Sequence, residues 1–318
     1  MSYQVIQVSG TILNKIKSFY KDHKIDKLPT GAVFVAKSPT CNITAYKSGK
    51  VLFQGKGAEE EANIWKGFGA TDAPSKSGKK ATTVSPSGTK VKSSLPPGFA
   101  SLSVIGSDEV GTGDYFGPIT VCAAYVKKEH MAKLAELGVQ DSKALNDEKI
   151  VRIAKAILPH VPYSLLVLHN EKYNELQQSG KSQGKIKALL HNKALQHVLD
   201  KIAPEKPDAI LIDQFAESGI YYRHVAQQKK IVRENVYFHT KAEGLHLSVA
   251  AASIIARYSF LKEMDKLSEL AGITIPKGAG SKVDSAAARV IEKHGEGFLN
   301  KVAKVHFANT LKAKKLVR

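Results

Sequence analysis

The chain is 318 residues long, enough for two domains at the usual roughly 100 to 200 residues each. Its 47 Lys and Arg against 29 Asp and Glu leave +18 at neutral pH, a balance that suits a polyphosphate partner and argues against a carrier of anionic proteins. Hydrophobic residues at 43% exclude wholesale disorder, and with no run of about 18 apolar residues a membrane-spanning helix is not expected.

Two cysteines, Cys41 and Cys122, are too few for a disulfide framework, and the sequence has neither a CxxC pair nor an HExxH segment. A reducing compartment follows, and any metal has to be held by oxygen. The N-terminus shows no basic stretch followed by an apolar run, so the expected location is the cytoplasm.

Ile12, Leu13, Ile16, Phe19 and Tyr20 fall at helical spacing. Strands are predicted over Ala32–Lys37, Asn42–Tyr46 and Lys50–Gln54, the last two joined by a turn at Lys47-Ser48-Gly49. A second helix is predicted from near Gly57, because Glu59, Glu60 and Glu61 then occupy its first turn, where the helix dipole favours acids. The pattern is a small α+β domain over residues 1–70, a sheet backed by two helices, with Phe34, Tyr46, Phe53 and Trp65 assigned to its core. Residues 1–100 hold 15 Lys, no Arg and six acids, a balance of +9 that equals that of the remaining chain. Lys47 and Lys50 on the hairpin are expected to add diffuse attraction for phosphate.

Residues 69–98 contain no aromatic side chain and are crowded with Ser, Thr, Gly, Pro and Lys, too little apolar surface to offset the entropy of ordering them. A flexible linker over 71–98 is therefore expected, followed by a larger domain over 99–318.

That larger part alternates strand and helix signals. Leu102–Glu109 and Pro118–Val126 are apolar strand candidates around a Gly-rich turn, and Tyr163–Leu168 is a third. Asn146 is placed to cap a helix carrying Ile150, Ile153, Ala154 and Ile157 on one face. Ile186, Leu190, Ala194, Val198 and Ile202 mark a long amphipathic helix. Asp208–Asp213 reads as a buried strand and Asn235–His239 as a short one. A further helix from near His246 carries alanines that permit close approach to a sheet. A mixed α/β sheet with helices on its faces is the predicted architecture.

Asp108 and Glu109 stand at the end of an apolar strand, a costly place for charge unless something compensates it. Alternation puts Asp108 on the face of Gly106 and Val104 and turns Glu109 away. Asp213 ends a second strand, and Glu243 lies just before a helix; each taken alone could be a turn or capping acid. Taken together they can converge at one end of a sheet, where clustered carboxylates raise each other's pKa unless a cation sits among them. A hard ion, Mg²⁺ or Mn²⁺, fits such a set. Two of them about 4 Å apart can activate a water and stabilise a leaving oxygen at a phosphate.

The run Asp108-Glu109-Val110-Gly111-Thr112-Gly113-Asp114-Tyr115-Phe116-Gly117-Pro118, with Asp141-Ser142-Lys143, Leu211-Ile212-Asp213, Lys241-Ala242-Glu243 and Ala250-Ala251-Ala252-Ser253, resembles the ribonuclease HIII family, bacterial type 2 ribonucleases H with an extra N-terminal domain. The resemblance spans about residues 101–310. It implies a ribonuclease H-like fold and endonucleolytic cutting of the RNA strand of RNA/DNA hybrids, leaving 3′-hydroxyl and 5′-phosphate ends. The family's metal-binding catalytic carboxylates correspond to Asp108, Glu109, Asp213 and Glu243. Glu at 243 agrees with this family and departs from the sister ribonuclease HII family, where Asp is usual. Residues 1–70 are similar to the family's substrate-binding domain, of a fold like that of the TATA-binding protein.

By the same resemblance Gly111, Thr112 and Gly113 meet ribose 2′-hydroxyls through backbone groups, as glycines allow. Ser142, Lys143 and Lys241 are candidates for phosphate contact. The segment Gln177–Lys187 is either a basic loop on the nucleic acid or a solvated helix start. For the C-terminal run from Pro276 to Thr310 the expectation is helix packing beside the sheet. A monomer is expected. The alternatives are a non-catalytic nucleic-acid-binding module with structural acids, or a nuclease of the same fold acting on DNA.

Overall fold

The computed structural model describes residues 3–25, 28–29, 31–38, 41–55, 57–66, 71–72, 95–140 and 145–317. The chain divides into two compact units, Met1–Ser87 and Gly88–Arg318.

The first unit contains β1 (Tyr3–Gln7), α1 (Gly10–Phe19), β2 (Ala32–Lys37), β3 (Asn42–Tyr46), β4 (Lys50–Gln54), α2 (Ala58–Lys66) and β5 (Thr71–Asp72). The strands form an antiparallel sheet in the order β2-β3-β4-β1-β5. Ser9 caps α1 by accepting from the Ile12 N–H, and the β3–β4 turn closes with Gly49 N–H on Tyr46 O at 3.0 Å. Ile6, Ile16, Phe34, Ile43, Val51, Phe53 and Trp65 make its core. Tyr46 is the exception among the expected core aromatics and is only half-buried. Of the three acids that begin α2, Glu61 is turned inward and accepts from the Tyr20 and Ser38 hydroxyls.

β1 departs from the sequence reading. Val5 and Ile6 are its only aliphatic residues, too few for an alternation signal, yet it pairs with β4 on one side and β5 on the other. Thr71 and Asp72 thus belong to the sheet and not to the expected linker, whose residues 73–94 lie outside the described residues.

The second unit has a five-stranded mixed sheet, ordered β10-β9-β6-β7-β8: β6 (Val104–Val110), β7 (Ile119–Val126), β8 (Tyr163–Leu168), β9 (Ala209–Asp213) and β10 (Val236–His239). β6 runs antiparallel to β7 and parallel to β9, which is parallel to β10. Asn235 is not in the strand expected to begin with it: it has a left-handed φ of 50°. The helices are α3 (Met131–Glu136), α4 (Asp147–Ile157), α5 (Asn170–Gln178), α6 (Gln183–Ile202), α7 (Ser218–Val225), α8 (Leu247–Ala271), α9 (Ser281–His294), α10 (Leu299–Val302) and α11 (Ala308–Leu316). Asn146 caps α4 through its side chain to Lys149 N–H, and Ile150, Ile153, Ala154 and Ile157 are buried as the periodicity requires.

One face of the sheet packs on α6 and α7 through Ile105, Val121, Ile186, Val198, Ile210 and Tyr221. The other receives α4 and α8, with Ala250, Ala251, Ala252 and Ala256 all buried. A third core joins α9, α10 and α11 to Tyr115 and Phe116 of the β6–β7 connection. Among the described residues no helix is long and apolar enough to cross a membrane.

Candidate active site

Gly106 decides how close α8 comes to the sheet. A Cβ at this position would stand 2.2 Å from Val249 N and 2.3 Å from Ser248 C, so only glycine lets the start of α8 rest directly on β6. That approach sets the residues at the α8 end against the acid two places further along β6.

The parallel register of β6 and β9 pairs Ser107 with Ile212. Asp108 and Asp213 come next, side by side on strands about 4.8 Å apart. Asp213 Oδ1 accepts from the Ala242 N–H at 2.9 Å, which ties the end of β9 to the single 3₁₀ turn Ala242–Gly244 and brings the buried Glu243 next to it. Lys241, just before that turn, is exposed and holds a left-handed φ of 57°, a conformation rare for a non-glycine residue.

Asp108 is 8% exposed. Burial first, then the charges of Glu109 and Asp213, push its carboxyl up to about 7, against hydrogen bonds from Ser253 on α8 and from the Glu109 N–H at 2.7 Å. Glu109 points to the opposite face, as strand alternation predicts. There Lys187 Nζ donates to Oε1 at 2.8 Å and His191 Nε2 lies 2.9 Å from Oε2. Burial alone would raise the Glu109 carboxyl, but the His191 hydrogen bond and charge, joined by Lys187, hold it down at about 2. His191 is completely buried, with Nδ1 2.5 Å from Ser107 Oγ.

Asp108, Asp213 and Glu243 are therefore gathered on neighbouring elements, whereas Glu109 is engaged by α6. Among the described residues no three His, Cys, Asp or Glu side chains are grouped so as to hold a metal ion as they stand. Glu109 is turned to Lys187 and His191, and one oxygen each of Asp108 and Asp213 accepts a backbone N–H. The donor set nevertheless fits a hard divalent cation, being all carboxylate oxygen and mutually repulsive without one.

Gly111, Thr112 and Gly113 follow β6 directly. Gly111 has φ 93° and a position where a Cβ would lie 2.2 Å from Pro118 O; Gly113 is exposed, with open space where a side chain would stand. Lys47 and Lys50 are exposed on the first unit's hairpin. Ser142 and Lys143 lie outside the described residues. Lys187 fits neither reading of the Gln177–Lys187 segment: it is on α6 at 13% side-chain exposure, paired with Glu109 and 4.4 Å from the Phe215 ring centroid. The sequence placed Lys187 only in a basic segment and gave His191 no role; their shared face on α6 shows only once that helix is laid over β6.

Parallel strands that end in neighbouring acids, with a third acid at the mouth of the helix packed behind them, define a nuclease of the ribonuclease H type. Residues 105–310 match the family model Ribonuclease HII, and residues 3–79 match a domain of unknown function (DUF3378). The chain is 59% identical to the Ribonuclease HIII of Bacillus pumilus (strain SAFR-032), with 99% of each chain covered. It is 57% identical to that of Listeria monocytogenes serotype 4b (strain F2365), with 100% of each covered. A solved structure, Bst-RNase HIII in complex with Mn²⁺, aligns at TM-score 0.68 and 50% identity over 100% of this chain and 99% of that one. The chain belongs to the ribonuclease HIII family. This membership favours the enzyme over the non-catalytic binding module, and the mixed α/β fold is the one the sequence implied.

Proposed function

We propose that the chain hydrolyses the RNA strand of RNA/DNA hybrids, leaving 3′-hydroxyl and 5′-phosphate ends, with Asp108, Glu109, Asp213 and Glu243 as the catalytic carboxylates that hold Mg²⁺ or Mn²⁺. The observation that carries the reading is the side-by-side ending of β6 and β9 at Asp108 and Asp213, with the Glu243 turn tied to Asp213 through Ala242 N–H.

When bound, the divalent cation supplies activation of the attacking water and stabilisation of the leaving oxygen. The chain's residues do the rest. Ser253 and the Glu109 N–H orient the Asp108 carboxylate, and Ala242 N–H orients that of Asp213. Lys187 and His191 keep Glu109 ionised. The exposed Gly113 leaves backbone open to a sugar, and the Gly111–Gly113 turn is assigned to the ribose 2′-hydroxyl, the group that separates RNA from DNA. Lys241 and the pair Ser142 and Lys143 are assigned to phosphates near the scissile bond.

In the proposed organisation residues 1–72 bind substrate, 73–98 link and 99–318 cut. Exposed Lys47 and Lys50 attract phosphate on the first of these. The protein acts as a cytoplasmic monomer. The test is cleavage of a labelled RNA/DNA hybrid with and without Mg²⁺ or Mn²⁺. Asp108→Asn should abolish cutting and leave hybrid binding within about threefold, and a variant that still cuts would remove the assignment.

A further inference from the structure

Lys304 is fully buried, and an ammonium taken out of water costs several kcal/mol unless its protons are satisfied. Its Nζ donates to two main-chain carbonyls, Asp114 O at 2.8 Å and Gly117 O at 2.5 Å. Both belong to the connection that leaves the Gly111–Gly113 turn. The main chain around Lys304 grips the same connection. Lys304 N–H donates to Tyr115 O at 2.8 Å, Gly117 N–H to Val302 O at 3.0 Å, and Tyr115 N–H to Gly278 O at 2.9 Å. Tyr115 Oη lies 2.9 Å from Thr310 Oγ1.

The turn is also held at its middle residue by the first residue of α6. Gln183 Nε2 donates to Thr112 O at 3.0 Å and to Tyr173 Oη at 3.2 Å. Between these two holds Gly113 stays exposed and touches nothing that a side chain there would meet. The arrangement fixes the residues on either side of Gly113 and leaves the space at Gly113 open, the geometry needed when peptide groups must meet a small polar ligand group to within about 0.5 Å.

We propose that Lys304 and Gln183 are positioning residues that set the preference for ribose over deoxyribose by holding the Gly111–Gly113 turn in one conformation. This rests on the assignment of that turn to the 2′-hydroxyl. The segment around residue 304, expected from the sequence only to pack helices, then acts on specificity through the carbonyls it holds, without touching substrate.

The experiment compares the parent chain with Lys304→Met and with Gln183→Ala, the second on the half-buried first turn of a helix and safe for folding. Affinities for an RNA/DNA hybrid and for a DNA duplex of the same sequence are measured by fluorescence anisotropy in EDTA, so that neither is cut. The expected result is a fall of about fivefold in the ratio of the two affinities for each variant, the scale of one missing hydrogen bond. The KM for hybrid cleavage rises in parallel while kcat moves less than about twofold. A role in stability alone would lower the melting temperature and leave the ratio unchanged. An unchanged ratio in Gln183→Ala and in any folded Lys304→Met overturns the proposal. Gly113→Val separates the two levels of failure. If it shifts the ratio and the others do not, only the positioning role falls; if it too leaves the ratio unchanged, the turn does not read ribose at all.

Discussion

Lys187 holds its ammonium nitrogen 2.8 Å from Glu109 Oε1, on the face of β6 opposite the one that carries Asp108. Both side chains are nearly excluded from water, at 13% and 10% exposure, so neither charge could stand there alone. His191 still holds Glu109 when Lys187 is removed, so the cost should fall short of the roughly 3 kcal/mol of a wholly uncompensated buried charge, at about 1 to 2 kcal/mol. Lys187→Met should therefore lower the urea unfolding free energy by that order. The double variant Lys187→Met, Glu109→Gln should recover more than half of the loss, and additive losses in the cycle would show the pair to be uncoupled.

Gly106→Ala places a methyl group against the backbone of Val249 and Ser248. Backbone cannot rotate away as a side chain can, so α8 must lift from β6, carrying Ser253 and the Glu243 turn with it. A loss of at least about 2 kcal/mol is expected, with hybrid cleavage falling more than tenfold. A variant with parental melting temperature and activity would refute this account of the helix–strand approach.

Lys304 gives the fold a pH signature. Burial pushes its ammonium down to about 7, with the Asp114 charge acting the other way, against an ordinary value of 10.5. Between those two pH values the unfolded chain holds a proton that the folded chain has released, so stability should rise as pH rises through the window and be flat in this respect below it. Denaturation curves at several pH values between 7 and 10 should show this slope for the parent and a shallower one for Lys304→Met. Parallel slopes would mean that the residue keeps its proton.

Charge reversal at the first unit's hairpin, Lys47→Glu with Lys50→Glu, should weaken hybrid binding at low salt. For every phosphate that the hairpin no longer neutralises, the slope of log affinity against log salt should also become shallower by about one. Cleavage at saturating hybrid should stay at the parental rate. An unaltered salt slope would take these two lysines out of the interface.

The sequence was most legible where one local rule decides the outcome. β2, β3 and β4 have the expected bounds because each is a short apolar alternation closed by a turn, and α4 starts where Asn146 can cap it. β1 is different, since a strand with two Gln residues is made by the partners on its two edges and not by its own composition. At the site, Asp108, Asp213 and Glu243 could be read because acids at the ends of apolar strands and beside a helix start are locally anomalous. The grip on Glu109 was hidden: Lys187 and His191 look like part of a solvated basic stretch until the register of α6 over β6 is known. Lys304 was hidden for the same reason, as nothing in its neighbours along the chain says that it is buried or that it reaches carbonyls some 190 residues away.

That separation has a consequence for partial unfolding. The turn proposed to face the sugar lies at residues 111–113, yet the lysine and the strand-like contact between Phe116 and Ala303 that secure it lie nearly 190 residues further along the chain. A partly folded chain can bring the four acids into place and still lack a firm reading turn. Preference for ribose should thus depend on the docking of the segment around Lys304, and a chain frayed there would lose that preference before it loses its acids.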